Sequence, residues 1–144
     1  MGPADRSAYY QPTLEDWAQI FVAFYVSHLA GDYLLQTDFQ AKRKWGGLGR
    51  DPVARRALFT HLFTYLLAFV PALIWLGDEL GLGAALAIAL AIWLPHLVID
   101  DGRLLRAYMR GVKRCADPSP ELTAAVDQSI HLVSLFAVAL LAAS

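Results

Sequence analysis

Four apolar stretches dominate this chain, at about Leu14–Gln36, Ala57–Leu76, Leu82–Asp100 and Leu122–Ala143. Each is long enough to cross a bilayer as a helix, which takes roughly 20 residues. The composition agrees: 57% of residues are hydrophobic, 17% are charged and the mean hydropathy is +0.42, well to the apolar side of soluble domains. At 144 residues the chain has the length of one domain. The expected fold is all-α: a polytopic membrane protein with four transmembrane helices in a single bundle spanning residues 1–144. The first stretch is read as a retained span, not a cleavable signal peptide. Acidic residues precede it, and it lacks a basic start and a small-residue cleavage site.

The charges that remain are segregated. Lys42, Arg43, Lys44, Arg50, Arg55 and Arg56 lie between the first two spans, and Arg103, Arg106, Arg110, Lys113 and Arg114 between the last two. Of the twelve Lys and Arg, this leaves only Arg6 in the N-terminal tail and none in the short turn expected at Gly77-Asp78-Glu79. The positive-inside rule puts both basic loops, residues 37–56 and 101–121, in the cytoplasm and both termini outside. The expected location is the bacterial inner membrane, crossed several times. Such loops also attract anionic lipid head groups; no nucleic-acid motif accompanies them, so no nucleic-acid partner is expected. Tyr9, Tyr10, Trp17, Trp75 and Trp93 suit rings at the interface. Pro71 and Pro95 fall inside spans, where proline is tolerated and expected to kink the helix. The single Cys115 allows no internal disulfide and is read as inert.

Against this background the ionisable residues inside the spans stand out, because such groups are costly in a membrane and usually mark function. Each span carries one histidine, and three of the four lie four residues from an aspartate: His28 with Asp32, His96 with Asp100, and Asp127 with His131. That is about one helical turn, so each pair projects from one helix face. His61 stands alone. Given the topology, His28 and Asp32 end the first span, His61 and the Asp127–His131 pair begin theirs, and His96 and Asp100 close the third. All seven therefore reach one depth, in the cytoplasmic half. Each histidine is followed by leucine and the separations 28 to 61 and 96 to 131 nearly match, a pattern that fits two pseudo-symmetric helical hairpins in parallel repeat.

Imidazoles and carboxylates converging in an oily bundle have the composition of a metal site. Seven candidate ligands, His28, Asp32, His61, His96, Asp100, Asp127 and His131, exceed one closed tetrahedral site. They suffice for two divalent ions with open positions, or for one ion with Asp32, Asp100 and Asp127 acting as outer residues or general base. Zinc is the first expectation, with manganese or iron as alternatives. Asp101 is expected to face away from Asp100 and cap the helix end. Gly31 is read as allowing close helix approach, and Gln36, Asp38 and Gln40 as capping the first span or bordering the site.

The run His28-Leu29-Ala30-Gly31-Asp32-Tyr33-Leu34-Leu35-Gln36-Thr37-Asp38, followed by Lys42, resembles a family of small bacterial membrane proteins labelled domain of unknown function 3307. Its pattern is His-Leu-x-Gly-Asp-aromatic-x-x-Gln, then a histidine, a His-x-x-x-Asp and an Asp-x-x-x-His, matched here by His61, by His96 with Asp100, and by Asp127 with His131. The resemblance covers all four spans and implies no biochemistry of its own. The chain is also loosely similar to inner-membrane proteins described as metal-dependent hydrolases, which is analogy alone.

Four functions compete. The first is a membrane-embedded metal-dependent hydrolase acting on a lipid or lipid-linked phosphate at the cytoplasmic leaflet, with Asp32, Asp100 and Asp127 as ligands, bridges or base and with Lys42, Arg103 and Gln36 meeting the head group. The second is a divalent-metal or proton transporter, which should extend its polar track through the outer half. The third is haem ligation by facing histidines, which gives the neighbouring aspartates no job. The fourth is a structural or partner-binding protein in which the His/Asp layer only locks helices together. A four-helix unit of this kind could also form a homodimer.

Overall fold

The computed structural model describes residues 16–144; the expected span start at Leu14, the rings of Tyr9 and Tyr10, and Arg6 lie outside them. Six α-helices follow in order: α1 Asp16–Leu29, α2 Asp38–Arg43, α3 Pro52–Leu80, α4 Leu82–Asp100, α5 Arg103–Gly111 and α6 Pro120–Ala142. A π-helical turn, Ala30–Leu34, continues directly from α1. Among the described residues, α3, α4 and α6 are long and apolar enough to cross a membrane. The first expected span is instead divided between α1 and the π turn, whose widened register shows in the bond from Leu35 N–H to Ala30 O at 2.9 Å. Such turns occur most often at functional sites, and this one carries Asp32.

Each helix starts where its chemistry allows. Asp51 accepts from Val53 N–H ahead of Pro52, and Ser119 accepts from Leu122 N–H ahead of Pro120. An N-cap acceptor before a proline at the first helical position satisfies free donors without asking the proline for one. Thr37 and Gln40 form a reciprocal capping box on α2. Between α3 and α4 the chain reverses at Gly81, where φ is 90°, a conformation that disfavours any side chain. The turn expected at Gly77-Asp78-Glu79 is therefore displaced: those residues belong to α3, which runs on until the glycine that can break it. Both α3 and α4 continue through Pro71 and Pro95.

The long helices pack in a ring, with α1 and α4 each lying between α3 and α6. One half of the ring is filled by apolar side chains alone, including Ile20, Phe24, Phe69, Leu76, Ile92, Leu135 and Val138. Its outward face is apolar as well, with Val22, Val26, Phe63, Ile74, Leu90 and Val133 exposed. Helices apolar on both sides are what a lipid surround requires.

The other half is polar inside and is closed by the two basic loops, which are tied to each other. Asp101, the C-cap of α4, accepts from Gly46 N–H through its carbonyl and from Leu48 N–H through Oδ1, both at 2.8 Å. The guanidinium of Arg106 lies 5.4 Å from the centroid of the Trp45 ring. Leu105 and Met109 of α5 bury against Val126 of α6. As expected, Asp101 turns away from Asp100, but its task is to fasten the loop that carries Lys44.

Gly31 lies where the π turn packs against Tyr65 of α3. A Cβ built there would lie 2.6 Å from Tyr65 Cδ2 and 3.4 Å from the Tyr65 Cα, so even one methyl must displace the tyrosine. Gly31→Ala is predicted to lower stability by about 1–3 kcal/mol, read as an earlier thermal midpoint in detergent. An unchanged midpoint would show that this approach is not tight.

Candidate metal centre

At the boundary between the apolar and polar halves, the seven anticipated residues meet. His28 and Asp32 come from α1 and its π turn, His61 from α3, His96 and Asp100 from α4, and Asp127 and His131 from α6. The one-turn spacing keeps each pair on the inner face of its helix. All four histidines, Asp32 and Asp100 are buried, and Asp127 is half-buried.

The tightest group joins α3 to α4. His61 Nε2 lies 2.9 Å from Asp100 Oδ2 and 3.1 Å from His96 Nε2. His96 Nε2 is itself 3.1 Å from the same Asp100 oxygen. On the other side of this histidine pair, Asp32 Oδ1 stands 3.3 Å from His61 Nε2 and 3.7 Å from His96 Nε2. A neutral imidazole offers one N–H and one lone pair. The facing nitrogens and carboxylate oxygens therefore hold more acceptors than there are protons to share among them. Such an arrangement favours a cation.

Three overlapping sets offer ligand atoms within 4.8 Å of one another: His28, Asp32 and His96; His61, His96 and Asp100; and Asp100, Asp127 and His131. Asp100 belongs to two of them, with Oδ2 toward His61 and His96 and Oδ1 at 3.6 Å from His131 Nε2. Among the described residues, four buried side-chain atoms have no hydrogen-bond partner: Asp32 Oδ1, His96 Nδ1, Asp100 Oδ1 and His131 Nε2. His131 is arranged as metal-ligating histidines are. Its Nδ1–H donates to the Asp127 carbonyl at 3.0 Å, which fixes the tautomer and leaves Nε2 as a lone-pair donor.

His28 differs from the other three. Its Nε2 donates to Gln128 Oε1 at 3.0 Å, so its Nδ1 accepts from the Tyr65 hydroxyl at 3.1 Å. Both ring nitrogens are thus occupied by neutral partners, and Asp32 Oδ2 is 3.7 Å from Nδ1. In this arrangement His28 organises the site more than it offers a ligand. His61 also has company: Gln36 Nε2 approaches both its ring nitrogens at 3.1 Å.

Three residues that the sequence does not mark as site residues belong to the cluster. Tyr65 lies one turn beyond His61, so the same i, i+4 rule would have found it; its ring stacks on His96 with centroids 3.4 Å apart. Gln128 bonds His28 and sends Nε2–H toward Asp32 and Asp127 at 3.4 Å. Lys44, counted among the topology-setting charges, is buried and donates to Asp100 Oδ2 at 2.9 Å. The two expected basic head-group contacts sit elsewhere. Lys42 pairs with exposed Asp38 at 2.8 Å, and Arg103 with Asp101 at 3.2 Å; neither touches the cluster. Gln36 does.

A cavity of about 530 Å³ leads to this group, lined by Asp32, Gln36, Lys44, Asp127 and Gln128 together with Trp45, Pro118 and Pro120 of the loops and helix start. It opens at the end of the bundle that carries the basic loops.

Tyr65→Phe is predicted to keep the ring stacked on His96 while leaving His28 Nδ1 without its donor. A buried acceptor deprived of its partner costs about 1–2 kcal/mol, measurable as a lower thermal midpoint in detergent. Equal stability of the two proteins would remove the Tyr65–His28 bond from the account.

No curated protein and no solved structure matches the chain. The model of the family described as "Protein of unknown function (DUF3307)" matches residues 20–144, from α1 to the end of α6, and so includes the whole cluster. The chain belongs to that family.

Proposed function

We propose that this is a four-span protein of the bacterial inner membrane, with its basic loops in the cytoplasm and its termini outside. In this reading the His/Asp cluster holds one or two divalent metal ions and hydrolyses a lipid or lipid-linked phosphate at the cytoplasmic leaflet. One observation carries it: the donor atoms of His61, His96 and Asp100 lie 2.9–3.1 Å from one another beside a cavity reaching the loops. Ligands bonded to zinc at about 2.0–2.1 Å in a tetrahedron are roughly 3.3 Å apart, so these three atoms approximate one face of such a site. Three protein ligands with a fourth position open is the pattern of catalytic zinc. Asp100, through Oδ1, forms a second set with Asp127 and His131, so this carboxylate belongs to both groups of candidate ligands.

A divalent ion held by His61, His96 and Asp100 would supply Lewis-acid chemistry for phosphate-ester hydrolysis at neutral pH. The chain's own residues do the rest. Asp32 Oδ1 faces the histidine pair without a hydrogen bond of its own, which suits a general base receiving a proton from water. Gln128 Nε2–H reaches the other carboxylate oxygen, Oδ2, at 3.4 Å, and His28 in turn fixes Gln128. The Asp127 carbonyl and Gln36 orient His131 and His61. Transport fits less well: a polar pathway would have to cross the half of the bundle packed with Phe24, Phe69, Ile92 and Leu135.

Full-length protein purified without strong chelators is expected to contain one or two equivalents of metal by elemental analysis. His96→Ala and Asp100→Asn should lose that metal. Phosphate release from a lipid phosphate in mixed micelles should fall at least about 100-fold for either variant. Wild-type protein with no stoichiometric metal would refute the proposal.

A further inference from the structure

The basic loops supply one cation that is treated unlike all the others. The Lys44 side chain is 9% exposed, against 71% for Lys42 and 55% for Arg103. Removing an ammonium from water is costly unless the charge is well compensated. Lys44 has the compensation, in Asp100 Oδ2 at 2.9 Å. That contact uses one of its three N–H donors, and among the described residues no second hydrogen bond to Nζ is present. The same side chain lines the cavity, beside Gln36 and Gln128, which carry further amide donors. A simple lock for Asp100 would need neither spare donors nor a place on a cavity wall.

We propose that Lys44 is the anion-recognising residue of the site, binding the phosphoryl oxygens of the substrate beside the metal; this rests on the metal-dependent reading above. Charge counting supports the assignment. Asp32, Asp100 and Asp127 with one dication and Lys44 balance to zero, and without Lys44 the cluster stays negative and repels a phosphate. With two dications the cluster is positive, and Lys44 adds to the attraction. Inside a site shielded from water, one such charge weighs heavily. An ammonium is a compact donor suited to a phosphate oxygen. Asp100 thereby couples the two halves of recognition, since one of its oxygens meets both the histidine ligands and the ammonium that receives the anion.

The ligand chemistry is a phosphate oxyanion, either free or on a lipid head group, and two arms of one experiment separate the sources. Full-length protein, with lysines labelled with ¹⁵N, is placed in phosphatidylcholine nanodiscs after its metal content has been measured. The Nζ signals are assigned with Lys42→Arg and Lys113→Arg. Inorganic phosphate is titrated in one arm, and phosphatidic acid replaces part of the phosphatidylcholine in the other. The expected result is a saturable shift of the Lys44 signal alone, in the first arm for a free phosphate and in the second for a lipid-borne one. Lys44→Met should keep its metal and lose at least about tenfold in affinity, a penalty of roughly 1.4 kcal/mol. Lys44→Arg should recover most of that affinity, and Lys113→Met, changed at an exposed position, should match wild type. Metal-loaded wild type in which the Lys44 signal responds in neither arm, or metal-loaded Lys44→Met with undiminished affinity, overturns the role of Lys44 and leaves the metal site standing. Wild type without metal overturns both.

Discussion

The Asp100 carboxylate is the interaction on which the rest of this structure depends. It is fully enclosed by helices, and an isolated ion there would be intolerable. Three groups make it tolerable: His61 and His96 approach Oδ2 from α3 and α4, and Lys44 reaches the same oxygen from the loop between α2 and α3. His131 of α6 stands 3.6 Å from Oδ1, where a cation would join the two. Every long element except α1 thus touches one side chain, and α1 joins through Asp32 and His28. Removing one partner of such a knot costs more than the knot contributes when intact, because the remaining charges are left buried and unpaired.

Holding the knot together requires the chain to depart from regular helix in a few places. The π turn at Ala30–Leu34 widens the end of α1 where Asp32 points inward, and Gly31 removes the side chain that would collide with Tyr65. Gly102, with φ of 72° and the Trp45 ring where a Cβ would stand, lets α4 end directly beside the loop it must hold. Asp101 then fixes that loop by backbone hydrogen bonds, and the loop carries Lys44. Adjacent aspartates thus divide the work: one faces the cluster, the other positions the lysine that compensates it.

Much of this was legible in the residues. The i, i+4 pairs predicted which side chains share a face, because helix geometry is local. The segregation of Lys and Arg placed both loops at one end, where they do meet. The helices begin at Pro52 and Pro120, ahead of the expected span starts at Ala57 and Leu122, because the acceptor–proline pairs at 51–52 and 119–120 cap them there. The α3–α4 turn was misplaced because Gly77, Asp78 and Glu79 look like a breaker, whereas the residue that stops the helix is Gly81, whose φ of 90° favours glycine. Gln128 carried no periodic signal of its own, and the lone appearance of His61 concealed Tyr65 one turn away.

Membership of the apolar helices and the common level of the His and Asp side chains follow from the order of residues alone, since span length, charge segregation and helical period are all properties of neighbouring positions. Which atoms face each other was decided only in three dimensions. The shared oxygen of Asp100, the two occupied nitrogens of His28 and the burial of Lys44 while Lys42 stays in solvent each depend on elements far apart in the chain. Two lysines two residues apart on a basic loop are indistinguishable as charges. The packing of that loop against the end of α4 turns one of them inward, because only there does a buried carboxylate offset the loss of water around it.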